Sequence, residues 1–133
     1  MSQNVGDVAL SSDEAVVLGP RELFRVAVEM MSQKRLGIAC VVDSDKKLVG
    51  VLTDGDIRRM LLRDHKPIAA LYTEDVSHYM TEGPKTVSPE TDLVEAISFM
   101  EQVDVYDLPV VDSSGKLVGL LHMHTAVKHL LKQ

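Results

Sequence analysis

Residues 50–56 read Gly50-Val51-Leu52-Thr53-Asp54-Gly55-Asp56, an apolar run broken by a hydroxyl and then by two carboxylates. A strand end running into a helix start has this form. Thr53 as N-cap, with Asp56 three residues on, is a Thr/Asp variant of the capping box, which needs no ligand. The same geometry also offers binding chemistry. The helix N-terminus presents free N–H groups and a positive dipole end to an anion. The Thr53 hydroxyl can donate to a phosphate, and a carboxylate such as Asp56 can accept both hydrogens of a vicinal diol. Both readings stand on the residues alone. Asp54 belongs to the same segment. Arg58 and Arg59 follow in the first helical turn, where Arg59 can approach a bound phosphate or pair with acids along the helix.

A second constellation is His122-Met123-His124. On a strand, residues i and i+2 share a face, so both rings can reach one ion. No third ligand is fixed by sequence, so no metal site is assigned. A contact of His122 or His124 with a ligand phosphate or a sugar acid, or a surface or capping role, are the other readings. The chain shows no nucleophile–base pair, no paired carboxylates at a defined separation and no phosphate-binding loop. No catalytic residue and no cofactor are therefore expected.

These motifs sit in a repeat. Residues 17–62 align with residues 86–131 without a gap, most clearly Val41-Val42-Asp43-Ser44 through Leu52 against Val110-Val111-Asp112-Ser113 through Leu121. Phe24, Ala27, Val28 and Met31 follow the period of one helical face, as do Leu93, Ala96, Ile97 and Met100. Pro20 is expected to start the first helix. Ser88 as N-cap with Pro89 behind it is expected to start the second. Each helix is followed by two apolar runs around a polar turn, 38–43 and 47–52 in one copy, 107–112 and 116–121 in the other, which reads as a hairpin. A second helix follows each hairpin, near 54–63 and 123–132. Short first strands are expected at Val16–Leu18 and Lys85–Val87, with short helical stretches near Ile68–Leu71 and Asp75–Met80 and disorder over the first few residues. Repeat one then spans about 5–63, a linker 64–84 and repeat two 85–133. The fold class is α+β, two βαββα units. Such units cannot bury their apolar faces alone, and packing about a pseudo-twofold axis would leave clefts suited to ligands.

Composition narrows the function classes. The 133 residues carry a net charge of −6 and are 45% apolar. An acidic chain lacks the basic footprint of broad nucleic-acid binding. No apolar run approaches the ~20 residues of a membrane span. The start lacks a basic and an apolar signal segment. Cytoplasm is the expected compartment, with no nucleic-acid or membrane partner. The one cysteine, Cys40, lies in an apolar run and reads as a small buried hydrophobe.

Repeat and motif together resemble the CBS domain pair, or Bateman module. That resemblance implies two βαββα units forming one ligand-sensing module. The family's ribose-binding aspartate matches Asp56 and its phosphate-proximal hydroxyl matches Thr53. It implies a base pocket on the opposite repeat, at Lys85, Thr86, Tyr106, Asp107, Leu108 and Pro109. Repeat two departs from the pattern, with His122 at the Thr53 position and Thr125 at the Asp56 position, so one strong site per chain is expected. The runs Leu52-Thr53-Asp54-Gly55-Asp56-Ile57-Arg58-Arg59 and Leu121-His122-Met123-His124 are further similar to the C-terminal CBS region of bacterial arabinose-5-phosphate isomerases, enzymes that feed Kdo and lipopolysaccharide synthesis. What this implies is a regulatory part binding a nucleotide or nucleotide-sugar, with CMP-Kdo or an adenine nucleotide as candidates. Its partners would be a catalytic sugar-isomerase (SIS) domain in cis or in trans, and a second copy in a homodimer. The alternatives are a ligand-free oligomerisation scaffold and the CBS pair of a sugar nucleotidyltransferase, which carries a similar Thr-Asp-Gly-Asp-Ile-Arg-Arg run.

Overall fold

Each pair of β-rich runs folds as the expected antiparallel hairpin. In the computed structural model, which describes residues 3–132, the elements in chain order are α1 (Val5–Val8), β1 (Val17–Leu18), α2 (Phe24–Lys34), β2 (Ile38–Val42), β3 (Leu48–Thr53), α3 (Asp54–Arg63) and α4 (Ile68–Tyr72). A 3-10 turn (Val76–His78), β4 (Thr81–Glu82), α5 (Leu93–Val103), β5 (Asp107–Val111), β6 (Leu117–His122) and α6 (Met123–Leu131) complete the α+β fold. The two repeats match down to backbone dihedrals. Both long helices end on a left-handed residue, Arg35 and Asp104, and both hairpin turns carry a positive φ at the same place, Lys46 and Gly115. Asp43 and Asp112 organise those turns alike, each accepting two backbone N–H groups at 2.8–3.0 Å.

The chain divides into two compact units, and the division does not follow the repeats. One unit is Ala15–Pro84; the other joins the residues up to Glu14 with those from Lys85 onward. In the first, β1 pairs parallel with β2, β2 antiparallel with β3, and β3 antiparallel with β4. In the second, β5 and β6 form the hairpin. Val87 bridges to Val110 where β1 stands in the other unit, and Leu10 bridges to Leu120 where β4 stands. The segment before each repeat thus completes the unit built on the other repeat. The hydrogen bonds are parallel in detail. Phe24 N–H donates to the Glu74 carbonyl and Leu93 N–H to the Gln3 carbonyl, both at 2.8 Å. Val76 N–H donates to Glu22 and Val5 N–H to Thr91, both at 2.9 Å.

These bonds correct the helix starts expected from sequence. α2 begins at Phe24 and α5 at Leu93, with Leu23 and Asp92 as N-caps, not at Pro20 or Ser88. The stretches before them form turns, closed by Glu22 N–H on the Gly19 carbonyl and Thr91 N–H on the Ser88 carbonyl, and the carbonyls of Pro20 and Pro89 receive N–H groups of the incoming segment, from Ser77 and Gly6. The disorder expected at the N-terminus is also corrected from Asn4 on, where α1 buries Val5 and Val8 in the core of its unit; Met1 and Ser2 lie outside the described residues. The first strand expected at 85–87 reduces to the single bridge at Val87.

The apolar stripes do form the cores. Phe24, Ala27 and Met31 are buried with Val41, Leu52, Met60 and Tyr79 in one unit, with Val28 packed against them. Leu93, Ala96 and Met100 are buried with Leu108, Val110 and Leu121 in the other. Cys40 is fully buried on β2, as expected.

Two matching glycines admit the incoming segments. A Cβ on Gly119 would lie 2.6 Å from the Leu10 carbonyl oxygen, and one on Gly50 2.9 Å from that of Thr81. Gly119→Ala should therefore lower stability by about 1–3 kcal/mol, the usual cost of overpacking against backbone. Gly19→Ala, with no atom within 4 Å of its Cβ, should change it little. Urea unfolding of both variants checks the pair; equal stabilities would show that the Leu10 segment is not held against β6.

Candidate ligand site at the start of the third helix

β3 ends at Thr53 and α3 begins at once. Thr53 caps α3 through a reciprocal box: the Asp56 N–H donates to Thr53 Oγ1 at 3.2 Å and the Thr53 N–H donates to Asp56 Oδ2 at 2.9 Å. The bland reading of the motif is therefore realised. Asp56 does more than cap, however. Its Oδ2 also accepts the Thr53 hydroxyl at 3.1 Å, and its Oδ1 accepts the Arg59 guanidinium at 2.7 Å and the Thr81 hydroxyl at 2.8 Å. Two carboxylate oxygens offer about four acceptor positions, and all are occupied. The Asp56 side chain is 7% exposed, whereas that of Arg59 is 59% exposed.

Burial alone pushes the Asp56 carboxyl up. The hydrogen bonds from Arg59, the Thr53 backbone, the Thr81 hydroxyl and the Thr53 hydroxyl outweigh it and hold the group below its ordinary 3.8. A buried charge kept ionised by directed donors can bind donors of a ligand only by exchanging them for those already present.

Two residues at this centre escaped the sequence reading. Thr81 arrives on β4, whose register sets it opposite Val51, two residues before Thr53. Gly55 makes room for Arg59: a Cβ there would lie 3.1 Å from one guanidinium nitrogen and 3.3 Å from the other. A helical glycine costs about 1 kcal/mol relative to alanine, and at this position it admits the ion pair. Asp54 points elsewhere. It lines a groove of about 320 Å³ with Val28, Met31, Arg35, Leu36 and Ile57, beside Gly37.

The other expected site residues lie in the second compact unit. Lys85 is exposed and Thr86 half-buried. Tyr106 is 75% exposed, while Leu108 is buried in the core and Pro109 is buried on β5. Asp107 pairs with His122 across the hairpin, its Oδ1 at 2.7 Å from His122 Nδ1. A carboxylate partner there favours the proton on Nδ1. The His124 ring centroid lies 6.4 Å from that of His122. Among the described residues no group of three or more His, Cys, Asp and Glu side chains is placed to hold a metal ion. His122 makes no side-chain cap to α6, so the second repeat lacks the reciprocal box of the first.

The family model of the CBS domain matches residues 5–63 and 76–132. The chain belongs to the CBS domain family. Its CBS pair is similar to the crystal structure of the CBS-pair protein CBSX2 from Arabidopsis thaliana, with a TM-score of 0.83 at 28% identity over 99% of this chain and 96% of that one. CBSX2 in complex with AMP gives 0.84 at 30% identity over 98% and 97%. Among curated relatives, an uncharacterized Helicobacter pylori protein is 36% identical over 92% of the CBS pair and 36% of its own length. The arabinose 5-phosphate isomerase KdsD of Francisella tularensis is 29% identical over 93% and 36%, and that of Pseudomonas aeruginosa 36% identical over 77% and 30%. The CBS pair spans about a third of the length of these curated relatives. No helix among its described residues is long and apolar enough to cross a membrane.

The lowered Asp56 pKa carries a pH signature. An unfolded aspartate takes up its proton at a higher pH than the folded Asp56 does, so the stabilisation is complete above about 3.8 and is lost as pH falls through the folded value. The stability difference between the CBS pair and its Asp56→Asn variant should therefore be largest near neutral pH and shrink below pH about 4. Thermal unfolding from pH 7 to pH 3 measures it; a difference that stays constant would mean the carboxylate is not held ionised by its partners.

Proposed function

We propose that this CBS pair is a regulatory module that senses a nucleotide or nucleotide-sugar, with Asp56 taking the ribose hydroxyls and Thr53 facing the phosphate. The observation that carries the reading is the buried Asp56 carboxylate, held ionised at a helix N-terminus beside the Thr53 hydroxyl. The relation to CBSX2, whose crystal structure holds AMP, supports an adenine nucleotide. The relation to KdsD supports a role as the regulatory part of an arabinose-5-phosphate isomerase, with CMP-Kdo as a feedback ligand. In that role the module acts on a catalytic SIS domain, in cis or in trans, through its differential affinity for a ligand in two conformations. Leu61 and Leu62 are 51% and 73% exposed on α3, which supports a homodimer; their neighbour Met60 is buried in the core.

Occupancy is one strong site per chain, because the second repeat has Thr125 where the first has Asp56. Losing a charge-assisted hydrogen bond costs about 1.5–3 kcal/mol, or roughly tenfold to a hundredfold in affinity. Asp56→Asn should weaken nucleotide binding by that factor while Thr125→Ala leaves it nearly unchanged. Calorimetry with AMP and with CMP-Kdo tests both. Two equal sites per chain, or wild-type affinity in Asp56→Asn, would remove Asp56 from the ribose. No binding of any nucleotide by the wild-type chain would favour the scaffold reading.

A further inference from the structure

Resting on the reading of Asp56 as the ribose acceptor, the occupied carboxylate raises a question of exchange. All four acceptor positions of Asp56 are taken within the chain, so a diol enters only where a donor leaves. The Thr53 N–H on Oδ2 is backbone and is fixed by the cap of α3. The two donors on Oδ1 are both side chains, Arg59 and Thr81, and that of Arg59 is more than half exposed. Oδ1 is thus the oxygen whose partners can move, and it carries two donors, the number a vicinal diol brings.

We propose that Arg59 is a displaceable stand-in for the ligand on Asp56, and that its displacement makes the site select phosphorylated ribosides over nucleosides. The argument is one of charge. Two hydroxyls replace the hydrogen bonds lost at Oδ1 but not the positive charge. A nucleoside therefore leaves a buried carboxylate without its cation and a guanidinium without its anion. A nucleoside phosphate brings the diol for Asp56 and an anion for Arg59, so both charges keep partners. The displaced guanidinium need not travel far. It already lies against Gly55 in the first turn of α3, where a Cβ would come within 3.1 Å of it, at the helix end whose N–H groups attract an anion.

The second repeat supports the reading of these residues as one device. At the same places it carries His124 for Gly55, Thr125 for Asp56 and Lys128 for Arg59. The carboxylate, the guanidinium and the glycine that admits it are replaced together.

The test is calorimetric titration of the chain with AMP and with adenosine, for the wild type, Arg59→Gln and Arg59→Lys, each checked for folding by thermal unfolding. The wild type should prefer AMP to adenosine by about tenfold to a hundredfold, the worth of a charge-assisted bond. Arg59→Gln should weaken AMP binding and strengthen adenosine binding, because Asp56 is released, so that the ratio falls toward one. Arg59→Lys should retain the preference for AMP. If Arg59→Gln keeps the wild-type ratio, or lowers both affinities by the same factor, Arg59 is a structural partner of Asp56 only; the proposal then fails while the nucleotide reading stands. If the wild type binds neither AMP nor CMP-Kdo, the nucleotide reading itself fails and this proposal with it.

Discussion

A hairpin flanked by two helices has a free edge, and in this protein both free edges are closed by chain from outside the repeat. The β3 edge receives Thr81 and Glu82, and the β6 edge receives Leu10. The approach is close enough that both strands carry glycine at the crossing, Gly50 and Gly119. Closure also supplies core: Val76 and Tyr79 enter one unit, and Val5 and Val8 the other. The candidate site inherits this constraint. Thr81 reaches Asp56 because β4 is seated on β3, so the state of the edge and the state of the carboxylate are coupled through one hydroxyl. The corresponding place in the other unit holds Leu10, whose side chain has no hydroxyl to give.

Asp56 shows how local electrostatics separates two repeats built from matching elements. Desolvation works against a buried charge and pushes the carboxyl up. Hydrogen bonds from one backbone and three side-chain donors reverse that balance and keep the group ionised. The backbone donor belongs to the cap of α3. The guanidinium reaches in from solvent over a glycine. In the second repeat the same strand–helix junction is built on a different pair, His122 against Asp107, with no capping side chain and no acid in the first helical turn. One scaffold thus carries an anionic centre in one unit and an imidazole–carboxylate pair in the other.

Much of this was legible in the sequence because local patterns and tertiary demands agree. The stripe of Phe24, Ala27 and Met31 and its counterpart at Leu93, Ala96 and Met100 are core because helical period and burial select the same residues. Thr53 and Asp56 were recognisable because a capping box is a local device. What sequence concealed is non-local. Residues 3–10 and 74–81 hold equivalent places, yet of the buried pairs only Val5 and Val76 share a residue type, so the repeat visible in sequence does not extend to these segments. The starts of α2 and α5 are hidden for the same reason, since Pro20 and Ser88-Pro89 are good first-turn signals overridden by bonds to those segments. Thr81 carries no motif that ties it to Asp56. The His122–Asp107 pair, in contrast, follows from hairpin register and was open to inference once the two strands were aligned.

The central claim is that Asp56 is the ligand-binding carboxylate and that its present donors hold the place of a ribose. A crystal structure of the chain grown with AMP tests it most directly. The account predicts ribose hydroxyl oxygens within about 2.5–3.0 Å of the Asp56 carboxylate, with the Arg59 guanidinium moved off Oδ1. AMP ordered elsewhere on the chain, with Asp56 still bound to Thr53, Thr81 and Arg59, would contradict it.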